Sequence, residues 1–348
     1  MLTLHQATDE IKTVLKWGGI LVATVITVLL LFNGGKMIKN IFSPPKPPPP
    51  TVSFGQITGI DFPKNATDEK LNYTLDTLSG KLPVFGDREN VYEVVPLVPN
   101  LLASKRAEEK LSNIGFKSPG RPLSETLYLW ENTIPPFKKI TYDILALNFK
   151  FTSDFLNNQE VLSANNLPNE NSSISLSQSF LSKIESLPKD IDDSKTKITL
   201  YSIKNSRLIP ATSLSSAHII RVDFYQKDVN KLPILYPNPP FSLINVSVAS
   251  GGLDGQIIEA NYSYNSISDK SATYPIKTTE QAFSELKDGK GYIASYYGSD
   301  KSILIKNVYL SYYMEEKPMK YLIPIIVFEG NNGFYGYVQA VTDEWVNK

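Results

Sequence analysis

Residues 17–32 constrain what this chain can fold into more than any other stretch. They read WGGILVATVITVLLLF, without one charge, and Lys16 and Lys36 bracket them. Sixteen helical residues rise about 24 Å, and running on through Asn33, Gly34 and Gly35 gives about 28 Å, close to the hydrocarbon thickness of a bilayer. A core helix would show a polar face, and the polar side chains here are Thr24 and Thr27. A cleavable signal would end in a small-x-small site, but the chain continues Asn-Gly-Gly-Lys-Met-Ile-Lys. The expectation is a retained membrane anchor over 17–35, carried by Trp17, Ile20, Leu21, Val22, Val25, Ile26, Val28, Leu29, Leu30, Leu31 and Phe32. Trp17 suits the interface, and the flanking lysines can snorkel.

Positive-inside counting sets Lys12 and Lys16 against Lys36, Lys39 and Lys46 and does not fix the orientation. The tail over 1–16 is too short for a domain, and the spacer lies downstream. Both favour a cytoplasmic N-terminus and extracytoplasmic C-terminal domains. The spacer, 36–53, holds six prolines within residues 44–50. Such a run has few backbone donors and favours polyproline II, a stalk of about 22 Å at about 3.1 Å per residue. A ligand for an SH3-like or WW-like domain is the other use of such a run, and its place between an anchor and a folded region favours the stalk.

Beyond the stalk the expected fold class is α+β, with two or three modules of antiparallel sheet, each with a packed helix. The modules are placed at 54–156, 157–270 and 271–348. Three helices stand out. Ala107, Leu111 and Ile114 share a face within 101–114, and Gly115 follows. Leu176, Phe180, Leu181, Ile184 and Leu187 make a stripe over 176–187, which Pro188 ends. Thr278 with Gln281 fits a capping box for 279–288, whose face is Ala282, Phe283 and Leu286. Strands are expected at 73–78, 92–95, 126–130 and 140–151, then at 197–203, 218–225, 242–249 and 256–264. The last group, 291–296, 302–313, 321–329 and 334–341, reads as a meander with a helix across it. The polar run 157–179 reads as a linker or mobile loop, and 265–272 as a second boundary.

Composition excludes several chemistries. The chain has no cysteine, so it has no disulfide, thiol nucleophile or Cys-ligated metal. Its two histidines, His5 and His218, cannot build a multi-His site. With 35 basic and 35 acidic residues it lacks the basic excess a nucleic-acid binder needs. The first fifty residues hold five lysines against Asp9 and Glu10, so the remainder is mildly acidic. A basic membrane-proximal segment and an acidic exported body suit an anchored protein.

Apparent catalytic motifs fail in detail. Ser186-Leu187-Pro188-Lys189, Ser263-Tyr264-Asn265 and Lys277-Thr278-Thr279 imitate a serine–lysine constellation, yet Ser186 closes a helix instead of opening one. Ser284 to Lys287 repeats the spacing on an ordinary amphipathic helix. His218 lies in an alternating strand, without a G-x-S-x-G elbow in the chain. Asp190, Asp192 and Asp193 lack the Gly and Glu of a calcium loop. Glu315 and Glu316 sit in a hairpin turn. Tyrosines crowd the last block, and Tyr296, Tyr297, Tyr313 and Tyr335 are candidates for an exposed surface that binds peptide or glycan; a half-buried sheet face explains the same tyrosines.

The last block also carries a resemblance. Residues 281–289, QAFSELKDG, are followed by 305–313, IKNVYLSYY, and by 321–328, YLIPIIVF. A helix, a strand ending in paired tyrosines and a "YL-x-P" strand resemble PepSY-like modules, over about 70 of the 348 residues. The block is similar to the extracytoplasmic regions of the bacterial YycH and YycI regulatory proteins, single-pass proteins with exported α+β domains. The resemblance implies binding or regulation without catalysis. The expectation is a single-pass, non-catalytic, extracytoplasmic binding or regulatory protein of a bacterial envelope. It has no cofactor, meets the lipid bilayer through one helix, contacts an envelope protein and binds no nucleic acid. A structural subunit of an envelope assembly is the alternative, and a serine–lysine hydrolase the third.

Overall fold

The computed structural model describes residues 15–31, 48–132, 137–156, 158–163, 167–250 and 256–347. The chain divides into two units, Met1–Pro49 and Pro50–Lys348.

In the first unit, residues 15–31 form helix α1, exposed along its whole length. Its two threonines turn their hydroxyls onto the helix itself, Thr24 to the Ile20 carbonyl and Thr27 to that of Ala23, each at 2.8 Å. No helix among the described residues is long and apolar enough to cross a membrane. Phe32 and residues 33–35, which would complete the expected span, lie outside the described residues. So does the proline-rich stalk as far as residue 47.

The second unit begins with three short strands, β1 (Ile57–Thr58), β2 (Asn72–Leu75) and β3 (Arg88–Val94), and helix α2 (Ala103–Ser112). Next come β4 (Arg121–Pro122), β5 (Leu127–Asn132), β6 (Lys138–Asp143) and β7 (Phe149–Ser153). Helices α3 (Gln159–Leu162) and α4 (Glu170–Lys183) lead into β8 (Lys197–Lys204), β9 (Arg207–Pro210) and β10 (Ile219–Phe224). Then follow β11 (Ile234–Leu235), β12 (Ile244–Ala249), β13 (Gln256–Tyr262) and β14 (Ile267–Pro275). After α5 (Thr279–Lys287) the chain ends with β15 (Tyr292–Ser295), β16 (Ser302–Tyr313), β17 (Tyr321–Gly330), β18 (Tyr335–Gln339) and β19 (Val346–Asn347).

Two large sheets carry the body. The first is antiparallel and nine-stranded, in the order β4-β5-β6-β7-β13-β12-β10-β8-β9. The second has eight strands along β11-β16-β17-β18-β15, with β2 parallel on β16 and β3 joining β14 to β17. The module boundaries expected at 156 and 270 therefore do not separate the sheets. β2 and β3 belong with the C-terminal strands, while β4 to β7 pair onward to β13. Pairing partners are chosen by burial in three dimensions, which linear spacing does not encode.

Local chemistry explains where the elements fall. Helix α5 has the reciprocal capping box, with the Thr278 hydroxyl accepting from the Gln281 N–H and the Gln281 side chain accepting from that of Thr278. It buries Ala282 and Leu286 and lays Phe283 on the same core. Helix α2 buries Ala107 and Leu111, and Gly115 follows at φ 97°. Helix α4 starts at Glu170, inside the polar run read as a linker. Asn169 caps it, and its buried stripe opens with Ser173 and Ser177 before Phe180 and Leu181. Ser177 donates to the Ser173 carbonyl at 2.7 Å, so a polar residue sits in the core without an orphaned hydroxyl. The strand expected over 140–151 is a hairpin. Asp143 Oδ1 accepts from the N–H groups of Leu145 and Ala146, and that turn is hidden in an apolar stretch. The boundary expected at 265–272 is largely strand β14.

Candidate functional site

The two sheets differ in how their faces are covered. On the nine-stranded sheet one face turns Ile220, Val222, Phe224, Val246, Ala260, Phe151 and Ile140 into a core shared with α2 and α4. Period two sends their neighbours to the opposite face. Register places those neighbours in two rows across the strands. One runs Leu129, Thr141, Lys150, Asn261, Asn245, Asp223 and Lys197. The other runs Glu131, Lys139, Thr152, Glu259, Ser247, Arg221 and Thr199. Every member but Leu129 is polar.

Thr141, Lys150, Asn261 and Asn245 of the first row, with Arg221 of the second, floor a pocket of about 370 Å³ whose walls are the loop holding Asn238 and Phe241 and the β16–β17 turn at Glu316. Arg221, on its lining, is held in a bidentate ion pair. Arg221 Nε and Nη2 donate to the two oxygens of Asp223 at 2.9 and 2.8 Å. Asp223 is buried, and its Oδ1 also accepts from the Ser242 N–H at 2.9 Å. Three donors on one carboxylate meet the demand of a buried charge. The Phe241 ring lies 4.5 Å from the guanidinium, so Arg221 is fixed on two sides. Asn261 donates to Asn245 Oδ1 at 3.1 Å, and Asn245 donates to the Ser242 carbonyl at 2.9 Å. Toward β7 the face opens to solvent at Lys150, which forms no ion pair among the described residues.

The serines around the pocket are engaged with backbone. Ser242 donates to the Phe224 carbonyl, and Ser263 to that of Glu316 at 2.5 Å. The second contact docks the Glu315-Glu316-Lys317 turn onto the first sheet, where Asn265 also reaches the Glu315 and Lys317 carbonyls. Burial pushes the Glu315 carboxyl above the ordinary range. The turn is a structural joint, whereas its charges had suggested solvent alone.

Other sequence candidates are placed as structural residues. Ser186 is buried, donates to the Ile184 carbonyl at 3.1 Å and closes α4. Lys287 lies over the Phe283 ring. His218 Nδ1 accepts from the Ile203 N–H at 3.3 Å. Asp192 caps a single turn at Ser194, and Lys195 bridges Asp192 and Asp228. Among the described residues there is no group of three His, Asp or Glu side chains suited to a metal.

The tyrosines do not share one surface. Tyr313 is fully buried with Tyr292 and Tyr337, and Phe62 stacks on this cluster at 5.0 Å. Tyr335 is half-buried on the same face, bonded to Glu329 at 3.2 Å. Tyr296 packs against the opposite, α5-side core and donates to the Asp300 carbonyl. Tyr297 alone of the four is exposed. Around β17 and β18 the second sheet is covered on both faces, which is why period two did not bring these tyrosines out. Sequence reasoning missed Arg221, Asp223, Asn245, Asn261, Phe241 and Lys150. Their signal was alternation, polar residues at every second position in neighbouring strands such as IIRVDF and INVSVA.

No family model matches the chain, and no curated protein matches it. Among solved structures, the chain is similar to an uncharacterized protein from Eubacterium rectale ATCC 33656. The identity is 13%, over 81% of this chain and 87% of that one, with a TM-score of 0.40. It is also similar to the Bacillus megaterium YpeB C-terminal domain, with 12% identity over 71% of this chain and 95% of that one, at a TM-score of 0.30.

Proposed function

We propose that this chain is a membrane-anchored, extracytoplasmic binding or regulatory protein of a bacterial envelope, and that it acts without catalysis through the polar face of its nine-stranded sheet. The observation that carries the reading is the contrast between the sheets. One is sealed on both faces through β17 and β18, while the other keeps a built polar floor, ordered by the Arg221–Asp223 pair and open at Lys150. Such a floor offers fixed donors and acceptors for recognition. The engagement of Ser242 and Ser263 with backbone carbonyls supports binding over nucleophilic chemistry. The apolar run at 17–32 and the PepSY-like last block support the anchored, regulatory setting.

A photo-crosslinking residue placed at Asn261 in the full chain tests this in intact cells. One recurrent envelope-protein adduct is expected there, and none from the same residue at Ser302 on the second sheet. Adducts at both positions, or at neither, count against the polar face. A fixed ring or row of crosslinked copies would favour the assembly-subunit reading. Protease digestion of spheroplasts reads the topology, since residues 51–348 should be cleaved from outside.

A further inference from the structure

The segment between β3 and α2 reads Val95-Pro96-Leu97-Val98-Pro99-Asn100-Leu101-Leu102. It leaves its large apolar side chains in solvent. Leu101 is fully exposed, Val98 is 80% exposed, and Val95, Leu97 and Leu102 each exceed 40%. Two prolines remove backbone donors, so the segment is a poor strand and a poor template for strand addition. Leu147, at φ 61° in the β6–β7 turn, is also exposed and lines the same 410 Å³ groove as Leu97 and Val98. Exposed leucines scattered singly are ordinary, but a contiguous set on two adjoining loops marks an interaction surface.

Charge and covalent connection indicate the occupant. The loop contains no carboxylate and runs directly into Lys105 and Arg106, both exposed and without an ion pair among the described residues. On the next turn Lys110 is taken by Glu185 at 3.2 Å, so among the described residues the cations of α2 without an ion pair are the two nearest the apolar loop, with Glu108 and Glu109 following them along the helix. The tether enters the body at Thr51 and Val52, which bond Thr273 of β14, and Thr273 pairs with Asn90 of β3. Val95 lies five residues further along that same strand, about 17 Å away at strand rise. Apolar tips backed by cations are the composition of an interfacial membrane contact. A body held to a bilayer by its own chain meets that bilayer at high effective concentration.

We infer that the 95–102 loop, with Leu147 beside it, inserts its apolar side chains into the headgroup layer of the bilayer that holds the chain's own apolar helix, with Lys105 and Arg106 against anionic headgroups. The inference rests on the anchored reading above. The body is then held at the membrane by two points, the tether and the loop.

The absence of cysteine makes single-site labelling clean. The full chain is reconstituted into vesicles of phosphatidylethanolamine with phosphatidylglycerol, carrying an environment-sensitive dye at Leu101→Cys, Leu78→Cys or Val25→Cys. Leu78 is the control, fully exposed on the β2–β3 connection. Brominated lipid should quench the Leu101 dye and leave the Leu78 dye untouched. Changing Lys105→Gln with Arg106→Gln, or using phosphatidylcholine alone, should weaken the quenching, each cation contributing about fivefold to partitioning. A Leu101 dye as wet as the Leu78 dye overturns the inference. One shielded from water but unquenched by lipid also overturns it, in favour of docking to protein. The Val25 dye reports the anchor separately. Val25 quenched with Leu101 unquenched removes the loop contact alone, and the reverse removes the anchored reading while leaving the loop contact standing.

Discussion

The nine-stranded and eight-stranded sheets use similar strand chemistry to opposite ends. In the eight-stranded sheet both faces are apolar around β17 and β18. One carries Ile303, Ile305, Ile326 and Phe328 under α5, and the other carries Tyr292, Tyr313, Ile325, Val327 and Tyr337 under Phe62 and Leu235. In the nine-stranded sheet one face is apolar, and the other carries two rows of polar residues beside an apolar row, Tyr201, Ile219 and Ala249, that packs with Val161 of α3. A sheet sealed on both faces has spent its surface on stability, whereas a sheet with one ordered polar face keeps surface for recognition.

That contrast breaks or sharpens under substitution. The largest effect is expected at the sealed sheet. Tyr337 is fully buried between Tyr292 and Tyr313, so Tyr337→Ala should cost about 3–5 kcal/mol. Lys150→Ala on the polar floor should stay within about 0.5 kcal/mol. Urea denaturation of the full chain, followed by tryptophan fluorescence, measures both, and equal losses would erase the contrast.

Asp223→Ala comes next, at about 3 kcal/mol, because it leaves the Arg221 guanidinium half-buried without its carboxylate. The same denaturation experiment should recover most of that loss in the double variant Asp223→Ala/Arg221→Met. Recovery would show that the pair serves the polar face more than the stability of the fold.

Smaller effects separate neighbouring tyrosines within the sealed sheet. Tyr312 donates to the Asn90 carbonyl at 3.0 Å, so Tyr312→Phe should cost about 1 kcal/mol. The Tyr313 hydroxyl is buried without a hydrogen-bond partner among the described residues, so Tyr313→Phe should be neutral or stabilising. Losses of the same sign and size at both positions would count against this placement. Thr278→Ala should also cost about 1 kcal/mol by removing the α5 capping box.

The mildest test is alkaline titration. Burial raises Tyr292, Tyr309, Tyr313 and Tyr337 above the ordinary phenol value and pushes Tyr335 up to about 12. A folded pKa above the unfolded one gives stability that is complete below about pH 10 and is lost as pH rises through the folded value. For Tyr335 the window is about 10 to 12. Tyrosinate absorbance should therefore lag behind that of the denatured chain. Since Tyr142 of the first sheet is also pushed up to about 12, the two sheets should differ less here than under substitution.

Much of this fold was legible, for physical reasons that also mark its limits. Helix α5 was readable to within a residue because Thr278, Gln281 and Gly289 spell both ends. The last meander was readable because its long strands are separated by a Glu-Glu-Lys-Pro turn and a Gly-Asn-Asn-Gly turn. Helix α4 was misread because its first buried positions are the serines Ser173 and Ser177, and Ser177 bonds back to the helix itself. The β6–β7 turn was missed because Ile144, Leu145, Ala146 and Leu147 look like strand, while the turn is set by Asp143 alone. The polar floor was invisible as a unit. Its members lie on β5, β6, β7, β13, β12, β10 and β8, and only the register of those strands lines them up.

The pairing of β1 with β19 and of β2 with β16 has a consequence for how the molecule is made. The earliest strands of the body find their partners only when β16 and β19 exist. During synthesis they wait as unsatisfied edges, exposed to proteases and to each other's copies. A premature stop before β16 would then leave more than a shortened product: it would strand the beginning of the body without its sheet. Quality control of this protein should thus be most sensitive until β16 and β19 have been made.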